Sequence, residues 1–413
     1  MLPKHVVKLI EETTQELGLK KWEYYIEPGS KKGDNYIGLI YRVIVTGLNF
    51  KGATVKLSLI AKLAPENEIR REKYQVEDCF AREKLTYESV LPEMTKIQKQ
   101  QNISSDDRFI SDMKCYRIST EKGKECILME DITTKGYQMW DRNKPLDLDH
   151  AVLAMQQLGK FHAISFALKD QKPELFKKFS NLEDVVFSNE EYFTDLIPYF
   201  NLFIDKAIDT LDDNEIGARD KMQEFKKHFM KIMFDGVKAS LAEPYAVVCH
   251  GDCWTNNMMF KYENGKPSSL ILLDWQITRY SSPVTDITYM LFCCTDKYLR
   301  DQHYENLMRI YHKSLCSHLE ALGSDSNKLF TYEALQEQLK TFSKYSLGMA
   351  IYDLPNMIAN AEDIKDLDEM AESLDNNDTL TMESFDSLNE KTEPLYKARM
   401  HDVIIDCIKF NYL

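Results

Sequence analysis

Apolar positions follow two different periods along the chain, and the change of period divides it into two parts. Residues 3–20 repeat apolar side chains at helical spacing and predict an amphipathic helix. Residues 36–46 and 53–63 are rich in β-branched and aliphatic residues, and a short segment with two glycines joins them, as is typical of a β-hairpin. The other predicted elements of this part are a charged helix at 68–90 and strands at 115–119 and 125–129. We therefore predict a small β-rich lobe over residues 1–130.

From about residue 149 onward the periodicity becomes helical. One stripe carries Ala151, Ala154, Leu158, Phe161 and Ser165, with Asp149 placed to cap the helix. Further elements of this part are a β-rich island at 245–275, an acidic segment at 362–393 that we predict to be a mobile insertion, and a closing helix near 394–410. Residues 131–413 thus form a large, mainly helical lobe, and the fold class is α+β.

Composition narrows the function classes. The 413 residues carry 52 Lys and Arg against 66 Asp and Glu, a net charge of −14, and such an acidic surface repels nucleic acid. No run approaches the roughly 20 apolar residues that a membrane span needs. The nine cysteines are scattered without a CxxC pair, which is typical of reduced thiols. We expect a cytoplasmic protein without a membrane, nucleic-acid or obligate protein partner.

Candidate chemistry lies in the β-rich island. A short apolar strand ends at His250-Gly251-Asp252, and Asn257 follows five residues after the aspartate. Asp274 ends the second strand of the next hairpin, whose turn places it roughly opposite Asn257. A cluster of oxygen donors of this kind suits Mg²⁺ that is bound together with substrate phosphates. Metal-dependent hydrolysis is disfavoured, because only one histidine accompanies the carboxylates.

The same spacing, H-x-D-x-x-x-x-N followed by a strand-end Asp, is the catalytic arrangement of kinases. In that arrangement Asp252 orients the acceptor hydroxyl and takes its proton, while Asn257 and Asp274 hold metal against the nucleotide phosphates. Phosphoryl transfer also needs a cation on the α/β-phosphates. Lys62 ends the second strand of the first hairpin, opposite residues 37–38 by our register, and Glu83 lies in the helical stretch that follows. The sequence therefore predicts a kinase active site.

Several further motifs carry a resemblance to a known family. They are Asp34-Asn35-Tyr36, the spacing Phe80-x-x-Glu83-x-x-x-Tyr87-x-x-x-Leu91-Pro92, and the segments 128–131, 158–163, 250–260, 272–276 and 282–287. Together they make the sequence similar to the insect ecdysteroid-kinase-like family, also called choline-kinase-like, which lies within the aminoglycoside and choline phosphotransferase group. The resemblance implies a protein-kinase-like bilobal fold and phosphorylation of a small-molecule hydroxyl with ATP and Mg²⁺.

The resemblance also implies roles for single residues. Asp252 matches the catalytic Asp, Asn257 and Asp274 match the metal ligands, and Lys62 and Glu83 match the ion pair. Other matched positions are the nucleotide loop with Asn35, Tyr36 and Gly38, the interlobe hinge with Met129, Glu130 and Ile132, and Asp286, which would brace the catalytic loop.

The sequence departs from protein kinases at three places. Gly251 stands where protein kinases have Arg, and Asp274-Trp275-Gln276 stands in place of DFG. The third departure is the lack of an A-P-E signature after Asp274. These three departures argue against a protein substrate. The nucleotide loop also lacks a GxGxxG pattern, which is usual for the group that the sequence resembles. An ecdysteroid, another steroid or a foreign alcohol is favoured as acceptor over choline or ethanolamine, and the alternative is a ligand- or nucleotide-binding protein without turnover on the same scaffold.

Some residues near these motifs have competing interpretations. His250 is interpreted as a structural hydrogen-bonding residue rather than a metal ligand, and His162 as a core histidine. The aromatic residues at 192–203 have helical spacing and are interpreted as core, with an acceptor pocket as the alternative. For Trp254, a position beside the acceptor and a purely structural position agree equally well with the sequence. Cys253 has no base beside it, so a thiol nucleophile is rejected.

Overall fold

A computed structural model describes residues 2–29, 38–109, 113–375 and 381–413. The first lobe is built on one antiparallel sheet with the strand order β1-β2-β3-β5-β4. Its strands are β1 (Lys20–Pro28), β2 (Leu39–Leu48), β3 (Thr54–Leu63), β4 (Cys115–Ser119) and β5 (Cys126–Glu130). The predicted hairpin and the two later strands are present, while β1 was not predicted.

The helix α1 (Lys4–Glu16) covers one face of this sheet. Val6 and Ile10 on its apolar face are fully buried against Val43, Leu59 and Leu128 of the strands. Burial of a side chain of this size stabilises a fold by about 1.5–3 kcal/mol relative to exposure. The sheet thus gains a small core of its own, separate from that of the second lobe.

The register of the first hairpin differs from the prediction. Lys62 pairs with Ile40 rather than with residues 37–38, because β2 continues to Leu48, which pairs with Thr54, so the turn lies further along the chain than predicted. The lysine nevertheless lies against Gly38 of the predicted nucleotide loop. A Cβ built on Gly38 would lie 3.1 Å from the Lys62 Cγ and 3.0 Å from the Leu63 carbonyl oxygen. The absence of a side chain at Gly38 lets the chain cross close to Lys62.

The charged stretch after β3 is not the single helix that its pattern predicts. The segments are α2 (Glu68–Lys73), α3 (Val76–Leu85), a π-helical turn (Thr86–Val90) and α4 (Leu91–Gln100). The first break occurs at Gln75, whose φ of 47° is incompatible with a continuing helix. The helix α3 carries Glu83 on its buried face.

The second lobe is mainly helical. Its longer helices are α5 (Leu148–Gln171), α8 (Ile197–Ile208), α9 (Ile216–Val237), α11 (Val284–Cys294), α12 (Lys297–Ala321), α14 (Tyr332–Ile358) and α17 (Glu393–Lys409). The shorter ones are α6 (Pro173–Phe176), α7 (Glu190–Asp195), α10 (Ala239–Ala242), α13 (Ser326–Leu329), α15 (Leu367–Asp375) and α16 (Met382–Phe385), with 3₁₀ turns at Ile132–Lys135 and Thr255–Asn257.

The stripe predicted for α5 is buried throughout, but the cap differs. Asp147 rather than Asp149 caps the helix, since its side chain accepts a hydrogen bond from the backbone N–H of His150. In the middle of α5, a Cβ on Gly159 would lie 2.7 Å from the Tyr311 carbonyl oxygen of α12. The glycine therefore allows α5 and α12 to pack closely enough for side chains to reach the catalytic loop.

Short strands carry the β-rich island. They are β6 (Gln138–Met139), β7 (Val247–Cys249), β8 (Met258–Glu263), β9 (Lys266–Leu272) and β10 (Arg279–Ser281). β7 pairs with β10, and β8 lies between β6 and β9. Met258 pairs with Leu272, and the Leu273 N–H donates to the Asn257 carbonyl oxygen, so Asn257 lies within one residue of the predicted position opposite Asp274.

The acidic segment at 362–393 is not the solvated loop that its composition suggests, as far as residues 362–375 and 381–393 are concerned. Met370 and Leu374 of α15 are buried. Asp368 pairs with Arg70 at 3.3 Å and Asp375 with Lys73 at 3.0 Å, which joins α15 to α2 of the first lobe. Its predicted mobility stays a prediction.

These elements together form the α+β fold that the sequence predicts, with a small lobe built on an antiparallel sheet and a large, mainly helical lobe. All nine cysteines are free thiols, as their scatter indicated. Among the helices in the described ranges, none combines the length and the apolar character that crossing a membrane requires.

Candidate active site

The loop between β7 and β8, which carries the predicted catalytic residues and is here called the catalytic loop, is held in place by Asp286. This residue lies in the first turn of α11, and its carboxylate accepts the backbone N–H groups of His250 at 2.7 Å and Gly251 at 2.9 Å. His162 of α5 contacts the same carboxylate at 3.2 Å and the Tyr311 hydroxyl at 2.9 Å. Burial alone would raise the pKa of Asp286, but the hydrogen bond from His162 and nearby positive charge lower it below its usual value. The loop is thus tied to a buried, ionised carboxylate.

His250 forms hydrogen bonds on both sides of its ring. Its Nε2 is 2.8 Å from the Leu273 carbonyl oxygen, and its Nδ1 is 3.2 Å from the Asp252 backbone nitrogen. A neutral ring that donates from Nε2 and accepts at Nδ1 satisfies both contacts. Burial lowers the pKa of His250, which favours this neutral form. The histidine therefore joins the catalytic loop to the end of β9.

Gly251 explains one departure from protein kinases. Its φ is +94°, and a Cβ there would lie only 2.2 Å from the Ile277 carbonyl oxygen. A residue with a side chain, Arg included, does not fit. The guanidinium of Arg279 in β10 nevertheless contacts this glycine. It donates to the Gly251 carbonyl oxygen at 3.3 Å and pairs with Asp184 at 3.0 Å.

Both carboxylate oxygens of Asp252 have hydrogen-bond partners. Oδ2 accepts from the Asn257 amide nitrogen at 2.8 Å, and Oδ1 is 3.1 Å from the Tyr289 hydroxyl. Burial, followed by the negative charge of Asp274, raises the pKa of Asp252 to about 7. A carboxyl group tuned to neutral pH is well suited to proton transfer.

Lys62 joins the two lobes at the centre of the site. Its Nζ donates to Glu83 at 2.7 Å, to Asp274 at 2.7 Å and to Gln276 at 2.9 Å, so all three ammonium hydrogens have partners. Burial lowers the pKa of Lys62, but the charges of Asp274 and Glu83 outweigh burial and the net shift is upward. The lysine therefore stays charged in a buried position. In the sequence Gln276 stands out only as a departure from DFG, and its contact with Lys62 was not predicted.

Asp274 adopts a left-handed backbone conformation, with a φ of +63°. Aspartate tolerates this region better than most residues, and such conformations concentrate at functional sites. Asp274 offers a carboxylate, and Asn257 donates to Asp252 through its amide nitrogen, so its amide oxygen is the end of the side chain available to a cation. A carboxylate and an amide oxygen close to each other fit the donor set of Mg²⁺.

The remaining nucleotide-site predictions have mixed outcomes. Asn35 and Tyr36 lie outside the described residues, while Gly38 lies against Lys62. In the hinge, Met129 pairs within the sheet and Ile132 begins the 3₁₀ turn. The backbone N–H of Glu130 already donates to the Lys114 carbonyl oxygen at 2.8 Å, so it is not available to adenine. The adenine contacts stay a prediction.

Asp131 stabilises this hinge, a role that was not predicted. Its Oδ2 accepts hydrogen bonds from Arg42 at 2.8 Å and from Ser58 at 2.7 Å, while Oδ1 accepts from the backbone N–H of Thr133 at 3.1 Å. The carboxylate therefore fastens the start of the second lobe to the strands β2 and β3.

A largely apolar cavity opens beside Asp252. Trp254 lines it, together with Phe193, Tyr199 and Phe200 of the aromatic stretch, whereas Phe203 is buried in the core. These four side chains of the aromatic stretch are buried, as the core interpretation predicted, and three of them also line the cavity. Further apolar lining comes from Phe187, Leu196, Phe229, Met233, Met349 and Met357.

The cavity is walled by parts of both lobes. Tyr74 of the first lobe and Met370 and Leu374 of α15 also line it. The acidic segment therefore contributes apolar side chains to the cavity and acidic ones to its contacts with α2. Asp353 of α14 is a further carboxyl group in the cavity wall, in addition to Asp184, Asp252 and Asp274.

Comparisons with known proteins identify a family. The model of a family described as the ecdysteroid kinase-like family matches residues 32–324, which is most of the chain. A search of curated proteins gives no significant match. Similar solved structures include the GDP complex of a mutant aminoglycoside 2'-phosphotransferase-IIIa, with 10% identity, a TM-score of 0.43, and coverage of 98% of this chain and 99% of that one. Another is the GDP and kanamycin complex of APH(2")-IIia, with 12% identity, a TM-score of 0.40, and coverage of 91% and 99%.

Proposed function

The chain belongs to the ecdysteroid kinase-like family of small-molecule kinases, and we propose from this that it transfers the γ-phosphoryl group of ATP, with Mg²⁺, to a hydroxyl of an apolar or amphipathic alcohol. One observation carries the proposal. The Asp252 carboxyl group stands where the cluster of Lys62 and Asp274 meets the apolar cavity. A proton acceptor is therefore within reach of both a phosphate site and an apolar acceptor.

Each residue of the cluster has a defined part in the reaction. Asp252 accepts the proton of the acceptor hydroxyl as the oxygen attacks phosphorus, and Asn257 holds the carboxylate in place. Lys62 supplies a fixed positive charge to the α/β-phosphates, and Glu83 keeps the ammonium group in position. Asp274 and Asn257 would hold Mg²⁺. When bound, Mg²⁺ offsets the negative charge of the phosphates.

The lining of the cavity favours an acceptor with a large apolar body. The polar groups Asp252, Asp353 and Tyr289 are joined by hydrogen bonds in the cavity wall, and most of the other lining side chains are apolar, many of them aromatic or Met. An ecdysteroid or another steroid-like or foreign alcohol would place a hydroxyl at this polar group and its body along the apolar side chains. Choline and ethanolamine have too little apolar surface to use it.

A labelled-phosphate assay tests this proposal. The protein is incubated with γ-labelled ATP, Mg²⁺ and, in separate reactions, ecdysone, cholesterol, choline and ethanolamine, with Asp252→Asn as the control. We expect a labelled small molecule with ecdysone or cholesterol that is absent from the control. Equal labelling by the control, or labelling of choline and ethanolamine alone, would contradict the proposal. Mg-ATP binding without any transfer would favour the binding-protein alternative.

Two phenylalanines lie one turn apart on α9, and their variants distinguish an effect on acceptor binding from a general loss of stability. Phe229 lines the cavity, whereas Phe225 is buried behind it, with their ring centroids 5.8 Å apart. Loss of one buried aromatic contact removes about 1.5–3 kcal/mol of apolar binding. We therefore expect Phe229→Ala to raise the acceptor KM roughly tenfold or more, with an unchanged KM for ATP. Phe225→Ala should lower the melting temperature but leave the acceptor KM near the wild-type value; equal KM effects would argue against this cavity.

The raised pKa of Asp252 predicts the acid limb of the pH profile. Asp252 must be ionised to accept a proton, so kcat/KM for the acceptor should fall as the pH drops through the pKa, at or below about 7. A cation held at Asp274 would move the limb downward, because the charge of Asp274 is one cause of the raised value. The check is kcat/KM against pH at saturating Mg-ATP. A profile that stays flat far below neutral pH would exclude Asp252 as the base.

A further inference from the structure

A second carboxyl group is connected to Asp252 through a tyrosine. Asp353 projects from α14 into the cavity wall, and its Oδ2 is 2.9 Å from the Tyr289 hydroxyl of α11. The same hydroxyl is 3.1 Å from Oδ1 of Asp252. Neither Asp353 nor Tyr289 belongs to the kinase motif. The two carboxyl groups therefore share one phenol directly beside the reacting end of the cavity.

The number of hydrogen atoms available to the two hydrogen bonds of Tyr289 decides whether both carboxyl groups can be ionised. A phenol has one O–H, while an ionised carboxylate can only accept hydrogen bonds. If both carboxyl groups were ionised, one of the two contacts would lack a hydrogen and would place two oxygens against each other. A proton on one carboxyl group satisfies both contacts, because that group donates to the phenol oxygen and the phenol donates to the other carboxylate.

The surroundings indicate which carboxyl group carries the proton. Asp252 receives a hydrogen bond from Asn257 and lies near the Arg279 guanidinium, and both favour its ionised form. Within the described ranges, no Lys or Arg forms an ion pair with Asp353. The titratable groups that face Asp353 are Asp252, Cys293 and Tyr289, with Tyr199 and Tyr345 from the neighbouring helices. Burial and the charge of Asp252 raise the pKa of Asp353 well above its usual value.

We propose that Asp353 is a positioning residue whose protonated carboxyl group donates to Tyr289, which in turn donates to Asp252 and fixes the orientation of the catalytic carboxylate. The proposal rests on the proposed function, since it assigns Asp252 as the base. With Asn257 on Oδ2 and Tyr289 on Oδ1, Asp252 cannot rotate away from the acceptor. Ionisation of Asp353 at alkaline pH would remove one donor from the chain and release this constraint.

Infrared spectroscopy tests the proton directly and needs no acceptor. We expect the wild-type protein at neutral pH to show carbonyl absorption from protonated carboxyl groups, and Asp353→Asn to lose one component of it. The control Asp301→Asn changes an aspartate that is ion-paired with Lys409 on the surface, and it should leave the absorption unchanged. If Asp353→Asn leaves the absorption unchanged, the proposal is wrong, whatever the enzyme phosphorylates.

Kinetics with the acceptor that the labelling assay identifies test the positioning role. The substitution Asp353→Asn keeps a neutral donor, so this variant should retain most of the neutral-pH kcat and lose the alkaline decline that wild type shows. Asp353→Ala and Tyr289→Phe break the hydrogen-bonded link to Asp252. Both variants should therefore lower kcat by about 10- to 100-fold, the size expected for a misplaced catalytic group. A wild-type pH profile in Asp353→Asn, or an unchanged kcat in Asp353→Ala, would overturn the proposal. Failure of wild type to phosphorylate any acceptor would instead count against the proposed function.

Discussion

The Asp252→Asn variant is expected to bind Mg-ATP like wild type and to lose kcat by roughly 10²- to 10⁴-fold, the usual contribution of a general base. Asn has the shape of Asp but cannot accept a proton at neutral pH. Because the Asp252 side chain lies at the boundary of the cavity, its replacement should leave the fold and the Lys62 cluster intact. The check is kcat for label transfer, together with the dissociation constant of Mg-ATP measured by calorimetry.

The adjacent residue provides a matched control for this variant. Cys253 is fully buried, and burial raises the pKa of its thiol well above the usual value, so it stays protonated. Cys253→Ala should therefore keep kcat within a fewfold of wild type. Near-normal turnover in Asp252→Asn, or a collapse in Cys253→Ala with the fold intact, would contradict the assignment of the base.

The Lys62→Met variant is expected to lose both activity and stability. Removing the ammonium group takes away a fixed charge on the phosphates, and loss of one such electrostatic contact lowers kcat by about 10²- to 10³-fold. It also leaves Glu83 buried without its partner, and breaking a buried ion pair in this way costs up to about 3–5 kcal/mol. Denaturant unfolding at neutral pH and kcat at saturating Mg-ATP measure the two effects.

A double variant separates the two consequences of losing Lys62. Glu83→Gln removes the negative charge that Lys62→Met leaves unpaired, so the double variant should recover most of the lost unfolding free energy. Its kcat should stay as low as that of Lys62→Met, because no charge has been returned to the phosphate site. Recovery of kcat along with stability would mean that Lys62 acts through the fold alone.

The central site was predictable because its key spacings are local. Asn257 and Asp274 belong to one hairpin, and a constant index sum fixes which residues of a hairpin face each other. Asp252 precedes that hairpin by a few residues, so its position follows as well. The structure also brings Lys62 to this cluster, although its strand register was misjudged, because the sequence does not show how far β2 continues before the turn.

Other features depend on contacts between distant parts of the chain. Asp353 is connected to Asp252 through Tyr289, and Gln276 accepts a hydrogen bond from Lys62, and no periodic pattern signals such contacts. The strand β1 was missed because it is mostly exposed and carries charged residues. Phe200 and Phe203 belong to the same helical pattern and both are buried, yet only Phe200 lines the cavity. The pattern does not distinguish them, because a cavity wall and a core both require apolar side chains.

The most direct test of the account is the identity of the product that carries the γ-phosphate. Wild-type protein is mixed with γ-labelled Mg-ATP and ecdysone, and the labelled species are separated and identified by mass spectrometry. We expect a phosphate ester of the alcohol, formed in the same amount as ADP and absent with the Asp252→Asn variant. Label found only on the protein or only in inorganic phosphate would contradict direct transfer to a small-molecule hydroxyl.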